Sequence, residues 1–194
     1  DSVIAAFDRD TITQEMISDS NIAPVSTIGV LKDENLATYY TKNAYDYTVK
    51  DGSSADGTLK MVSDSVYPGC FMYNKAVAMD VLGTDDPDEV QKYINDWDGF
   101  YAVAEKAKTA GYTMTSGSDQ VIKDKLNRSD IYNELLTKGY ETGHKTWDDE
   151  WYADRNSGKI FGFFADPSML WMLEDSQLDK YDMCIAPCAY VYGG

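Results

Sequence analysis

Long apolar runs are absent from this sequence. No stretch approaches the ~20 apolar residues that span a bilayer, so no membrane-crossing helix is predicted. Basic residues are scarce: 17 Lys and Arg stand against 33 Asp and Glu, a formal net charge of −16. Such a surface repels phosphate backbones and anionic headgroups, and nucleic acid is excluded as a partner on that ground. His144 is the only histidine, and any Ser-His or Cys-His pair must use it. Its neighbours Gly143, Lys145 and Thr146 read as an exposed loop that offers no orienting partner, so it is expected to be a surface residue. The three cysteines, Cys70, Cys184 and Cys188, have no C-x-x-C spacing and are odd in number, which indicates neither a zinc site nor a full disulfide framework. G-x-S-x-G, P-loop, G-x-G-x-x-G and EF-hand patterns are missing, as are internal repeats and low-complexity tracts. The first ten residues, DSVIAAFDRD, lack a basic n-region and an apolar h-region.

What is abundant is aromatic and acidic. Fifteen Tyr and four Trp provide flat apolar faces with polar edges, the kind of surface that stacks on a pyranose ring and also the kind that fills a core. With 43% hydrophobic and 26% charged residues in a chain of 194, a folded domain or parts of two are expected. The acidic clusters Asp85, Asp86, Asp88, Glu89 and Asp148, Asp149, Glu150 fall in the first turns of predicted helices, where the helix dipole accounts for them. A glycosidase pair of carboxylates is not excluded by counting acids.

Strand and helix signals alternate along the chain. Residues 3–7 read as a strand, with Asp10 capping a helix to about Ser18, and residues 47–50 and 58–63 flank the turn-rich DGSSADG as a hairpin or loop. Residues 71–73 form a strand, Asn74 caps KAVAMDVL, and Gly83 stops it. Pro87 opens the next helix; Asp96 caps another, with Trp97, Phe100, Tyr101, Ala104 and Ala107 at helical spacing. Ile131, Tyr132, Leu135 and Leu136 mark a further amphipathic helix, and Thr146 with Asp149 resembles a capping box leading through Trp151. KIFGFF is a strand, Asp166 and Pro167 open a last helix through Trp171, and residues 182–186 are a closing strand. The class is α/β with mixed strand order. Trp97, Trp147 and Trp151, at helix starts, are expected to be buried against the core.

Two stretches carry a resemblance. YPGCFMYNKAVAMDVLGTDDPDEVQKYINDWDGFYAVAEKAKTAGYTM, residues 67–114, and TWDDEWYADRNSGKIFGFFADPSMLW with the terminal YDMCIAPCAYVYGG resemble extracellular solute-binding proteins of carbohydrate ABC importers, family 1 type, of Gram-positive gut bacteria. The resemblance implies a periplasmic-binding-protein-like, venus-flytrap fold of type II character, represented in part: residues 1–66 in the first lobe, 67–186 as the second lobe, 187–194 as a hinge return. It implies that a signal peptide, a lipidated cysteine and a first-lobe segment precede this chain, and that further chain follows YVYGG. The implied activity is capture of an oligosaccharide and delivery to the permease subunits of an ABC importer, by a monomer without cofactor or catalysis, at the outer cell surface.

Ligand-holding candidates follow from the resemblance and the chemistry of sugars, which bind through stacking on C–H faces and hydrogen bonds to hydroxyls. Tyr192, before Gly-Gly, is the first choice as a platform, and Tyr67 beside Pro68 and Gly69 the second. Asp166 is a hydroxyl acceptor or a helix cap. The chain departs from the family at Asp166, Pro167 and Ser168, where P-A-W is usual, and Trp171, one helical turn on, is the replacement candidate. A glycoside-active enzyme and a trimmed lobe that binds nothing alone are the competing readings.

Overall fold

The computed structural model describes residues 12–31, 34–167, 169, 173, 175–184 and 191–192. The chain divides into two compact units, one formed by residues 1–66 with Gly193 and Gly194, the other by residues 67–192.

In the first unit, α1 (Gln14–Ser18) is followed by a 3-10 turn (Val25–Thr27), a small hairpin of β1 (Val30–Leu31) and β2 (Glu34–Asn35), α2 (Leu36–Asn43) and α3 (Asp46–Asp51). Thr13 caps α1 by accepting from Met16 N, so the cap expected at Asp10 is displaced by three residues; the strand expected over residues 3–7 lies outside the described residues. Asn35 Oδ1 caps α2 through Ala37 N. Residues 47–50, expected to flank DGSSADG as part of a hairpin or loop, are helical. Tyr45 C=O accepts from both Thr48 N and Thr48 Oγ1, so the hydroxyl of a β-branched residue is satisfied inside the turn and helix wins. The DGSSADG segment closes as a loop around Asp56, whose carboxylate accepts from Ser54 Oγ and Thr58 N, and a single antiparallel bridge joins Ser53 to Leu59.

The second unit is built on a four-stranded mixed sheet in the order β5 (Thr113–Thr115), β6 (Ile160–Ala165), β4 (Cys70–Asn74), β7 (Tyr181–Cys184). β5 runs parallel to β6, and β6 and β7 run antiparallel to β4, with Cys70 opposite Ala165 and Phe71 opposite Cys184. The central strands are buried at every position but Cys70 because both faces are covered. One cover is made by α4 (Lys75–Leu82), α5 (Pro87–Tyr93), α6 (Trp97–Thr109) and α7 (Ser129–Lys138), whose Val77, Val90, Phe100 and Leu135 join Phe71, Tyr73 and Phe164 in one cluster. The other is made by α8 (Asp149–Ser157), whose Trp151 packs with Met72, Phe163, Ala165 and Met169. Gly162 is needed here, since a Cβ would lie 2.4 Å from the Phe71 ring and 2.7 Å from Met72 O. A π-helix (Asp119–Lys125), a short α9 (Asp175–Leu178) and a separate ribbon of β3 (Tyr67–Pro68) with β8 (Val191–Tyr192) complete the unit.

Local signals placed these elements well where side chains act on their own backbone. Asn74 Oδ1 accepts from Ala76 and Val77 N, Asp86 Oδ1 from Asp88 and Glu89 N, and Asp96 Oδ1 from Gly99 N. Thr146 is different. It makes no cap for α8, which begins after Asp148; its hydroxyl bonds to the neighbouring loop instead. Trp97 is partly buried against the core and Trp151 is 1% exposed, as expected, whereas Trp147 is 37% exposed.

Candidate functional site

Because β5 and β6 are parallel and β4 is antiparallel to β6, the segments that leave β5 and β6 and the segment that enters β4 gather at one end of the sheet. Residues 116–119 follow β5, Asp166 follows β6, and Tyr67 to Cys70 lead into β4. The parallel bridge from Thr115 to Glu141 adds residues 142–147 to the same end.

The β5 exit is a loop of small residues held from below by one carboxylate. Glu141, 4% exposed, accepts from Gly117 N at 3.0 Å, Ser118 N at 3.3 Å and Ser118 Oγ. Burial pushes its carboxyl above the usual carboxylate range, against the pull of these donors. Gly117 sits at φ 64°, and a Cβ there would fall 2.2 Å from the Trp151 ring, so only glycine lets the loop lie on the indole. Thr146 ties the second loop to the first: its Oγ1 lies 2.6 Å from Gly117 O and 2.8 Å from Asp119 Oδ1, its one proton shared between these acceptors, and its N donates to Asp119 Oδ1 (3.1 Å).

His144 has the orienting partner that its sequence neighbours did not reveal. Asp154, ten residues on and one α8 face away, brings Oδ2 to 2.8 Å from His144 Nδ1 and also accepts from Ser116 Oγ at 2.6 Å. Thr142 Oγ1 donates to Ser116 Oγ at 2.8 Å. The order matters for chemistry. The serine donates to the carboxylate and not to the imidazole, so this trio lacks the base contact that activates a nucleophilic hydroxyl; it fastens loops to α8.

The structure places three of the four predicted site residues. Tyr67 and Tyr192 are directly opposite each other in the antiparallel ribbon of β3 and β8, with Pro68 opposite Val191. Asp166 is 2% exposed, and its C=O accepts from Met169 N at 3.0 Å, closing a single turn. It follows Ala165, the partner of Cys70, and its charge adds to the burial that pushes the Cys70 thiol up to about 12. Trp171 lies outside the described residues. Cys184 is likewise pushed up to about 12 by burial, so neither thiol is a nucleophile near neutrality. Cys188 lies outside the described residues. Among the described residues no group of His, Cys, Asp and Glu is arranged to hold a metal ion, and no helix is long and apolar enough to cross a membrane.

The loops of residues 116–119 and 141–147 are what sequence reading missed. The available signal was S-G-S-D directly after a strand, small polar residues where a backbone turns closely past another group. Elsewhere, a shallow groove of about 520 Å³ lies in the first unit, lined by Ser26, Thr38, Thr41, Lys42, Thr58 and Leu59 among others; it has no aromatic wall.

No protein-family model matches the sequence, and no curated protein matches it. Solved structures do. The galacto-N-biose-/lacto-N-biose I-binding protein of the ABC transporter from Bifidobacterium longum, in complex with lacto-N-biose, superposes with a TM-score of 0.67 at 15% identity, over 96% of this chain and 52% of that one. The ABC transporter associated binding protein from B. animalis subsp. lactis Bl-04, in complex with beta-1,6-galactobiose, gives 0.66 at 16% identity, over 97% and 52%. A family 1 extracellular solute-binding protein from Bifidobacterium longum subsp. infantis gives 0.59 at 18%, over 96% and 54%. The chain spans about half the length of the structures it matches. At this level of identity the likeness establishes the architecture, and the chain has the α/β fold of the solute-binding proteins of sugar ABC transporters.

Proposed function

We propose that this chain takes part in capturing an oligosaccharide outside the cell and passing it to the permease of an ABC importer. In this reading residues 1–66 belong to a first lobe, 67–186 to a second and 187–194 to the return crossing. The protein acts as an extracellular, lipid-anchored monomer and carries out no chemistry. Tyr192 and Tyr67 serve as stacking platforms, Asp166 as a hydroxyl acceptor, and Trp171 as a further aromatic contact.

The observation that carries the proposal is the register that sets Tyr67 opposite Tyr192, in a two-stranded ribbon leading straight into the sheet end where Asp166 and the β5 loop gather. Aromatic faces combined with hydroxyl acceptors are the chemistry of neutral sugar recognition. The fold supports it, since the matched proteins include one solved in complex with lacto-N-biose and one in complex with beta-1,6-galactobiose. The Ser116, Asp154 and His144 order supports binding over nucleophilic catalysis.

Calorimetric titration with lacto-N-biose, β-1,6-galactobiose, raffinose, maltotriose and xylotriose tests it. Saturable binding of one sugar class, weakened about tenfold or more by Tyr192→Ala, is the expected result. Turnover of a chromogenic glycoside that a single carboxylate substitution abolishes would replace the proposal with an enzyme.

A further inference from the structure

Among the described residues, two other than glycine have a left-handed backbone, Asn127 at φ 52° and Trp147 at φ 77°. Asparagine tolerates this conformation because its short amide bonds locally. Tryptophan has no such compensation, and a residue held there persists only where its surroundings overrule the strain.

The surroundings of Trp147 do so on several sides. Thr146, immediately before it, is fixed by its N–H and hydroxyl, which donate to Asp119 Oδ1 and Gly117 O. The indole Nε1 donates to Gln120 Oε1 at 3.3 Å, and the ring meets Trp151 edge to face at 5.1 Å. Asp119 and Gln120 are the first two residues of the π-helix, a geometry rarely sustained and concentrated at functional sites. Despite all this support the ring stays 37% exposed. Packing alone explains a buried tryptophan, and an idle surface tryptophan has no cause to be strained.

The geometry points to Trp147 as a stacking platform for a pyranose ring, a contact that rests on the carbohydrate reading above and assigns it a residue outside Tyr67, Asp166, Trp171 and Tyr192. An exposed indole whose Nε1 edge is held by Gln120, followed in the chain by the exposed Asp148 and Asp149, suits a sugar, whose axial C–H bonds stack while its hydroxyls donate to acceptors. The position is continuous with the rest of the sheet end. Trp151, on which Trp147 rests, packs in the same cluster as Ala165 and Met169, the residues flanking Asp166. The acceptors next to Trp147 in the chain favour a hydroxyl-rich ligand over an apolar protein surface; a quaternary ammonium, which also favours an aromatic face, is an outcome of the test.

The test compares the wild-type chain with Trp147→Phe and Trp147→Asn, using the five sugars named above and choline as probes. In the wild type, the bound sugar is expected to shield part of the tryptophan emission from acrylamide, and this shielding is expected to fall in Trp147→Phe, leaving only what Trp171 contributes, while binding persists. Trp147→Asn is expected to bind about tenfold more weakly or worse, with a melting temperature equal to or above that of the wild type because the left-handed strain is relieved. Sugar binding that leaves quenching unchanged, or that Trp147→Asn retains in full, overturns the platform and leaves the carbohydrate reading standing. Shielding by choline and by none of the sugars overturns both, as does the absence of sugar binding by the wild type.

Discussion

The two units solve the same problem to different degrees. In the second, a mixed sheet is covered on both faces, and Phe71 alone meets Phe100, Phe161 and Phe164 with ring centroids between 5.2 and 6.4 Å apart. In the first, Ile17, Val25 and Leu59 are the buried apolar side chains among the described residues, α2 buries none, and Ile28, Val30 and Tyr45 are each more than 60% exposed. Among the described residues, then, about fifty residues of the first unit share three buried apolar side chains, whereas the second unit carries a continuous core. The lesson concerns cooperativity. The first unit combines caps and Asx contacts with a few long-range hydrogen bonds, such as Val25 N to Leu59 O and Lys60 Nζ to Asp19 O, whereas the second unit is held by strand pairing and a continuous core between segments far apart in sequence.

Substitutions can sharpen or break that contrast. All four tryptophans fall within residues 67–192, so tryptophan fluorescence reads the second unit without the first. Phe71→Ala, at a side chain 0% exposed, is expected to lower the stability read this way by about 3–5 kcal/mol, and urea denaturation measures it. A loss under 1 kcal/mol would mean that the sheet core is not what holds the unit. Gly117→Ala is next, at about 2 kcal/mol or more, because the added methyl meets Trp151 and the left-handed φ is denied at once. Since Gly117 carries the β5 exit loop, the same variant is expected to weaken any ligand held at that end of the sheet.

The third prediction concerns pH. Glu141 has a carboxyl raised by burial, so the native state binds its proton more tightly than the unfolded chain does. Its contribution to stability is therefore complete below the ordinary carboxylate value and is lost as pH rises through the raised one. Mild acidification from neutrality is expected to stabilise the second unit through this group, and Glu141→Gln to flatten that part of the profile. As pH falls below the ordinary carboxylate value towards about 2, stability is lost again in both units: Asp130 in the second, drawn to about 2 by Arg128, and Asp56 in the first, drawn to about 2 by the hydrogen bonds of Ser54 and Thr58, give up those partners as they take a proton. The smallest effect is expected in the first unit. Tyr45→Ala, at a side chain 67% exposed, is expected to change stability by less than about 0.5 kcal/mol, with native-state hydrogen exchange of the α2 and α3 amides as the readout. A larger loss would show that the exposed tyrosine is part of a wider packed surface and that the contrast between units is overstated.

The elements that the sequence made legible are those whose cause is local. Asn74, Asp86 and Asp96 bond to amides two or three residues away, Gly83 and Gly139 take the left-handed turn that ends a helix, and the spacing of Phe100, Ala104 and Ala107 defines one helix face. Any reader of the chain can find these, because the interacting groups are neighbours in it. The misreadings share one feature. Residues 47–50 carry a strand-like composition but fold as helix through Thr48 and Tyr45; Thr146 has the spacing of a cap but bonds across to Gly117 and Asp119, 27 to 29 residues away. The partner of His144 is Asp154, and the partners of Glu141 are the amides of Gly117 and Ser118, none of them adjacent.

By itself, then, the sequence determined the helix ends, the buried strands and the α/β class, because hydrogen-bonding caps and apolar periodicity are encoded within a few residues. Only the tertiary structure decided that Tyr67 lies opposite Tyr192, that a buried carboxylate holds the β5 loop, and that one tryptophan is strained and left in solvent. Each of these depends on strand register and loop closure, which bring together groups separated by 20 to more than 100 residues and which no local pattern specifies.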